Sequence, residues 1–101
     1  MLYVVRSSVI KSWKNSPSEK LAHGYKISGF SSLDRELLSK RLAVLNAATT
    51  LKDIPPLKSI KLHQLKGSRA GQWAISVNGP WRICFKFKNG HAFEVEIVDY
   101  H

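Results

Sequence analysis

Residues 72–101 read QWAISVNGPWRICFKFKNGHAFEVEIVDYH, and their alternation decides the fold. Three runs put an apolar side chain at every second position: Trp73, Ile75, Val77; Trp81, Ile83, Phe85, Phe87; and Phe93, Val95, Ile97. Asn78-Gly79 and Asn89-Gly90 separate them. Period two marks strands with one wet face, and Asn-Gly tolerates the positive φ of a tight hairpin. The stretch therefore predicts a three-stranded antiparallel meander.

The same pattern sets the register. A two-residue Asn78-Gly79 loop would put Ile75 opposite Arg82, a charge on the apolar face. A three-residue loop, Asn78-Gly79-Pro80, instead pairs Val77 with Trp81, Ile75 with Ile83 and Trp73 with Phe85. It also removes Pro80, which has no N–H to donate, from the ladder. One sheet face is then apolar and needs a cover. The other carries Gln72, Ala74, Ser76, Arg82, Cys84, Lys86, Glu94 and Glu96, and is where function is sought.

Working outward, residues 60–65 (IKLHQL) alternate again and predict a fourth strand, with Lys61, His63 and Leu65 on one face. A basic loop, Lys66-Gly67-Ser68-Arg69-Ala70-Gly71, joins it to Trp73. The Pro-Pro stretch of residues 52–59 is a connection. Residues 32–50 predict the principal helix: Leu33, Leu37, Leu38, Leu42, Leu45 and Ala48 form one stripe, with Ser31 and Asp34 resembling a capping box. That stripe is the natural cover for the sheet. Residues 16–31 show no sustained period and read as a loop with room for a brief helical turn. A short helix is expected from Ser7 or Ser8 to Trp13, stopped by Pro17, and residues 1–5 (MLYVV) could add a strand. The expected architecture is α+β: two N-terminal helices packed on one face of a mostly antiparallel four- to five-stranded sheet, in one domain over residues 1–101.

The charge is the informative bound. Sixteen Lys and Arg against seven Asp and Glu give a formal +9, a field that concentrates polyanions and points to nucleic acid or an acidic protein as partner. A lone cysteine, Cys84, provides no disulfide framework and fits a reducing compartment. No apolar run approaches the ~20 residues of a membrane span, so a cytoplasmic protein without a membrane partner is expected. No metal-ligand spacing, P-loop or nucleophile-elbow motif occurs, so neither metal nor cofactor is expected.

Three places bring ionisable groups to the open face. His63 stands beside Lys66 and Arg69; Arg82 sits mid-strand; Asp99-Tyr100-His101 ends the chain. Each has a plain alternative. Arg82 could pair across strands with Glu96 or Glu94, His63 could be a satisfied edge histidine, and the last three residues a frayed tail.

The residues 62–75, LHQLKGSRAGQWAI, resemble the LHPLKGDRxGxWSI segment of HigB toxins. Residues 77–85 are similar to their VNGxWRIxF strand pair, residues 90–101 to their GDAxxVxxxDYH ending, and residues 41–48 to their RLxxLNAA element. Ser68 stands where Asp is usual and Gln64 where Pro is common, and residues 1–31 match poorly. The resemblance implies a RelE-like microbial ribonuclease fold and a type II toxin–antitoxin toxin that cleaves translated mRNA in the ribosomal A site. Its implied partners are the ribosome with mRNA and a HigA-type helix-turn-helix antitoxin, through which alone it would meet operator DNA. The expected catalytic residues are His63, Lys66, Arg82, Asp99, Tyr100 and His101, with Lys61, Arg69 and Lys86 binding RNA. Cleavage without a metal needs a base for the 2′-OH proton, cations for the phosphate and an acid for the 5′-oxygen. Arg82 and Lys66 suit the phosphate, and His63 and His101 the proton transfers. Asp99 either orients His101 or is itself the base, and Tyr100 stacks on or hydrogen-bonds a nucleotide. The rival reading is a catalytically inactive RNA- or protein-binding relative of the same fold.

Overall fold

The computed structural model describes residues 9–100. Helices α1 (Ser16–Ala22) and α2 (Arg35–Ala47) precede strands β1 (His63–Gln64), β2 (Trp73–Ser76), β3 (Trp81–Lys88) and β4 (His91–Asp99). The strands form one antiparallel sheet in the order β1-β2-β3-β4. Trp73 pairs with Phe85 and Ile75 with Ile83, and the Val77 N–H donates to Trp81 O at 3.0 Å. This is the register of the three-residue loop. At the second turn Lys88 pairs with His91, and Asn89 and Gly90 both take positive φ, +52° and +77°, the geometry of a twist-matched two-residue hairpin.

The meander departs from strict alternation at one point. Cys84 pairs with Glu96 but Lys86 pairs with Phe93, so Phe85 alone faces Glu94 and Val95. Glu94 is the extra residue, at φ +50°. The slip reverses the faces of the strand's first half. Buried Ala92 joins Phe87 toward the core, and Phe93, expected beside Val95 and Ile97, turns onto the open face opposite Lys86. The displaced Glu94 N–H donates to Ser12 Oγ at 2.8 Å, so the bulge leaves that donor satisfied.

Leu38, Leu42, Leu45 and Ala48 pack with Leu21 of α1 over Ile75, Ile83, Phe85, Val95 and Ile97. The cap of α2 is Asp34 rather than Ser31: its side chain accepts from the Leu37 N–H at 2.9 Å. Asn78 ties this cap to the sheet. Its Oδ1 accepts from the Asp34 N–H at 2.8 Å, and its Nδ2 donates to Ser32 O at 2.9 Å. Trp81 reinforces the joint, with Nε1 donating to Ser32 Oγ at 3.0 Å and its ring stacked on Phe30. Thr50 and Asp53 cap a further short turn, Leu51–Asp53, before the prolines.

The first helix lies later than the sequence spacing predicted. Ile10 and Trp13 form parallel bridges with Ala92 and Val95, and backbone bonds run both ways between residues 9–14 and β4. The helix-like spacing of Val9, Ile10 and Trp13 loses to the unpaired edge of β4, whose N–H and C=O groups need partners. Asn46 of α2 holds this segment, its Oδ1 accepting from Val9 N and Ile10 N at 2.9 and 3.3 Å. Asn15 then caps α1, and Pro17, in the first turn, opens the helix instead of ending one. The strand expected at residues 1–5, and Ser7 and Ser8 as caps, lie outside the described residues. The strand expected over residues 60–65 contracts to His63–Gln64 because Lys61 takes φ +49° and breaks the ladder. Among the described residues no helix is long and apolar enough to cross a membrane.

Candidate active site

Strand register builds the open face in rows. His63, Ala74, Cys84 and Glu96 lie across one row, and Ser76, Arg82 and Val98 across the next. This face is less polar than alternation alone implied. Leu65, Ala74 and Cys84 are buried together, with Val98 and Tyr100 packed against them, as a small apolar floor. The cover is Arg69. The short turn Gly67–Arg69 brings its side chain inward, where Nη1 donates to Glu96 Oε1 at 3.0 Å and Gln72 Oε1 at 3.2 Å. Its guanidinium carbon lies 5.8 Å from the Tyr100 ring centroid, a cation–π contact. The hydrogen bond to Glu96 raises the Arg69 pKa further above its ordinary value. Burial beneath this cover pushes the Cys84 thiol up to about 11, which makes it an inert wall and not a nucleophile at neutral pH.

Arg82 pairs with neither Glu94 nor Glu96. Its Nη1 donates to Gly79 O at 2.8 Å and Trp81 O at 2.9 Å, so the side chain folds back against the β2–β3 turn. Those neutral acceptors orient the guanidinium without cancelling its charge. Tyr100 reaches the same turn, its N–H donating to Pro80 O at 2.9 Å. Arg82, Tyr100 and Arg69 thus gather at one end of the face.

His63 lies two strands away from Arg82, about 10 Å across the sheet and about 7 Å along it at the backbone. Its Nδ1 is 2.9 Å from Lys61 O. A carbonyl oxygen only accepts, so the neutral ring carries its proton on Nδ1 and presents Nε2 as the basic nitrogen. Lys66 precedes the Gly67–Arg69 turn as its N-cap and is exposed, and Gly67 takes φ +65° there. The loop therefore separates its two cations, Arg69 turned in and Lys66 out.

The remaining expectations fall at different places. Asp99, exposed, ends β4 opposite Trp81, and His101 lies outside the described residues. Lys61 is exposed at its strained turn. Lys86 sits four residues along β3 from Arg82, about 14 Å away, and its Nζ is 2.8 Å from Glu94 Oε2. Lys14 adds a second contact to Glu94 at 3.7 Å, and Lys86 above all holds that carboxyl below its usual range. The sequence reading missed Glu96 and Gln72 as the anchors of Arg69. Only the register, which sets Glu96 level with Cys84, reveals that pairing.

Comparison with known proteins adds to this geometry. Residues 20–101 match the family model described as the RelE-like toxin of the type II toxin–antitoxin system HigB. The chain is 37% identical over 93 residues to Endoribonuclease HigB of Proteus vulgaris, covering 92% of this chain and 100% of that protein. Both reach across the open face and α2. The chain belongs to the HigB-like family of RelE-like toxins of type II toxin–antitoxin systems.

Proposed function

We propose that this toxin is a metal-independent endoribonuclease that cleaves translated mRNA in the A site of the ribosome and is held inactive by a HigA-type helix-turn-helix antitoxin. Its relative in Proteus vulgaris is named an endoribonuclease. The observation that carries the reading is the open face itself. One imidazole held through Nδ1 by a backbone carbonyl, two oriented guanidiniums and a phenol share a single surface of a strongly basic chain.

The chemistry follows from those groups. His63 Nε2 or His101 takes the proton of the 2′-OH as its oxygen attacks the adjacent phosphorus, and the other returns a proton to the departing 5′-oxygen. Arg82 and Lys66 stabilise the charge that grows on the phosphate oxygens. Asp99 orients His101 or serves as the base. Tyr100, steadied from one side by Arg69, packs against the displaced nucleotide. Lys61, Arg69 and Lys86 hold the RNA backbone, and the +9 field draws the protein to the ribosome.

The test induces wild type and Arg82→Ala separately in bacteria lacking the antitoxin and maps mRNA 5′ ends. Expected are growth arrest and cuts in frame with translated codons, with cutting reduced on the order of 10²–10³-fold in the variant. Intact messages from well-expressed wild type would refute the nuclease and favour an RNA- or protein-binding relative.

A further inference from the structure

Phe93 is a large aromatic ring, partly buried on the open face. It is a member of neither the main apolar core nor the small cluster beneath Arg69. Strict alternation would have put it beside Val95; the bulge turns it outward instead. That bulge sets Glu94 in left-handed backbone, which disfavours any residue with a Cβ. Three partners hold it there: Ser12 Oγ on the Glu94 N–H, and Lys86 and Lys14 on its carboxylate.

The ring's neighbours define what it fits. His91 meets it edge-on, centroids 6.3 Å apart and planes at 85°. Lys86 pairs opposite Phe93 and Lys88 opposite His91, and both lysines are exposed. Arg82, Lys86 and Lys88 fall on the same face of β3, a cationic line that leads from the candidate active site to this ring. A π surface beside the exposed Lys88 and beside Lys86, whose ammonium also meets Glu94 at 2.8 Å, matches a nucleobase and its phosphates. Lysine is depleted at the centres of protein–protein interfaces, which argues against a protein there.

We infer that Phe93, with His91, Lys86 and Lys88, forms a second single-stranded RNA subsite. A base of the same mRNA stacks on Phe93, roughly 14 Å along β3 from the phosphate at Arg82, and its backbone runs over the two lysines. The identity of the strand rests on the nuclease reading; the stacking does not.

The probe is a fluorescent, uncleavable 2′-O-methyl octanucleotide, with a trinucleotide for comparison, titrated by anisotropy at fixed salt. Wild type is expected to prefer the octanucleotide. Phe93→Leu, which keeps apolar bulk without a π face, should lose about tenfold of that preference, and Phe93→Trp should restore it. Lys88→Ala should weaken octanucleotide binding and flatten its salt dependence. Thermal melts establish that each variant is folded. Octanucleotide binding by Phe93→Leu equal to wild type would overturn the subsite, as would a loss confined to antitoxin binding. If wild type leaves messages intact in cells while Phe93→Leu still weakens the octanucleotide, the nuclease reading falls and the subsite stands. If wild type cuts messages and Phe93→Leu changes neither binding nor cutting, the subsite alone falls.

Discussion

Asn78→Ala tests the joint on which both fold and site depend. The amide accepts from the Asp34 N–H at 2.8 Å and donates to Ser32 O at 2.9 Å, bridging the cap of α2 to the β2–β3 turn. Each bond contributes roughly 0.5–1.5 kcal/mol net. Both are solvent-accessible, so water replaces part of what is lost and the expected cost is about 1–2 kcal/mol. For a domain of this size that lowers Tm by roughly 5–15 °C. The measurement is urea unfolding followed by tryptophan fluorescence, with Ser32→Ala and the double variant completing a cycle. Ser32→Ala removes the hydroxyl that Trp81 Nε1 donates to but leaves Ser32 O for Asn78, so the two changes probe adjacent parts of one joint. Non-additive losses are expected. Cleavage should fall as well, because Arg82 is oriented by Gly79 O in the same turn. A loss below about 0.5 kcal/mol, the range of an ordinary surface substitution, would refute the claim that Asn78 braces the turn.

Two further perturbations address the floor and its cover. The Cys84 thiol, pushed up to about 11, favours the folded state's neutral form. Stability is therefore fully present below the unfolded thiol's pKa and is lost as pH climbs through the folded one, by roughly 3 kcal/mol at the far end. Between pH 8 and 10.5 the wild-type urea midpoint should fall faster than that of Cys84→Ala, and parallel profiles would refute burial as the cause. Glu96→Gln keeps an acceptor for Arg69 but removes the charge 3.0 Å away. It should cost about 1 kcal/mol in urea unfolding while raising affinity for single-stranded RNA several-fold at low salt, and unchanged affinity would show that Glu96 does not restrain Arg69.

What the sequence disclosed and what it hid follow from the range of the forces involved. The β2–β3 register was legible because a misplaced Arg82 carries a large local penalty, and alternation records it directly. The α2 stripe was legible for the same reason. The bulge was not, because Phe93, Val95 and Ile97 keep a clean period while Ser12, distant in sequence, supplies the acceptor that makes the slip tolerable. The α1 shift was hidden likewise: residues 9–14 carry helix-compatible spacing and are claimed by the edge of β4. In the candidate site, Arg82, His63 and Tyr100 stood out by type and position. Arg69's attachment to Glu96 needed two strands and a loop to be placed first, so no local pattern could announce it.

The pairing of residues 9–14 with β4 also sets an order of events at birth. Lys11 donates to Ala92 O, Lys14 to Val95 O, and the Ile97 N–H to buried Ser18 Oγ, contacts that join the earliest described residues to some of the last. At roughly 5–20 residues per second of synthesis, the N-terminal segment waits several seconds for the strand that orders it. Until β4 has left the exit tunnel, neither Glu96 nor Tyr100 can seat Arg69, and the open face does not exist. A toxin built this way acquires its open face only when its last strand is in place, so a partly made chain carries the site's residues without the site.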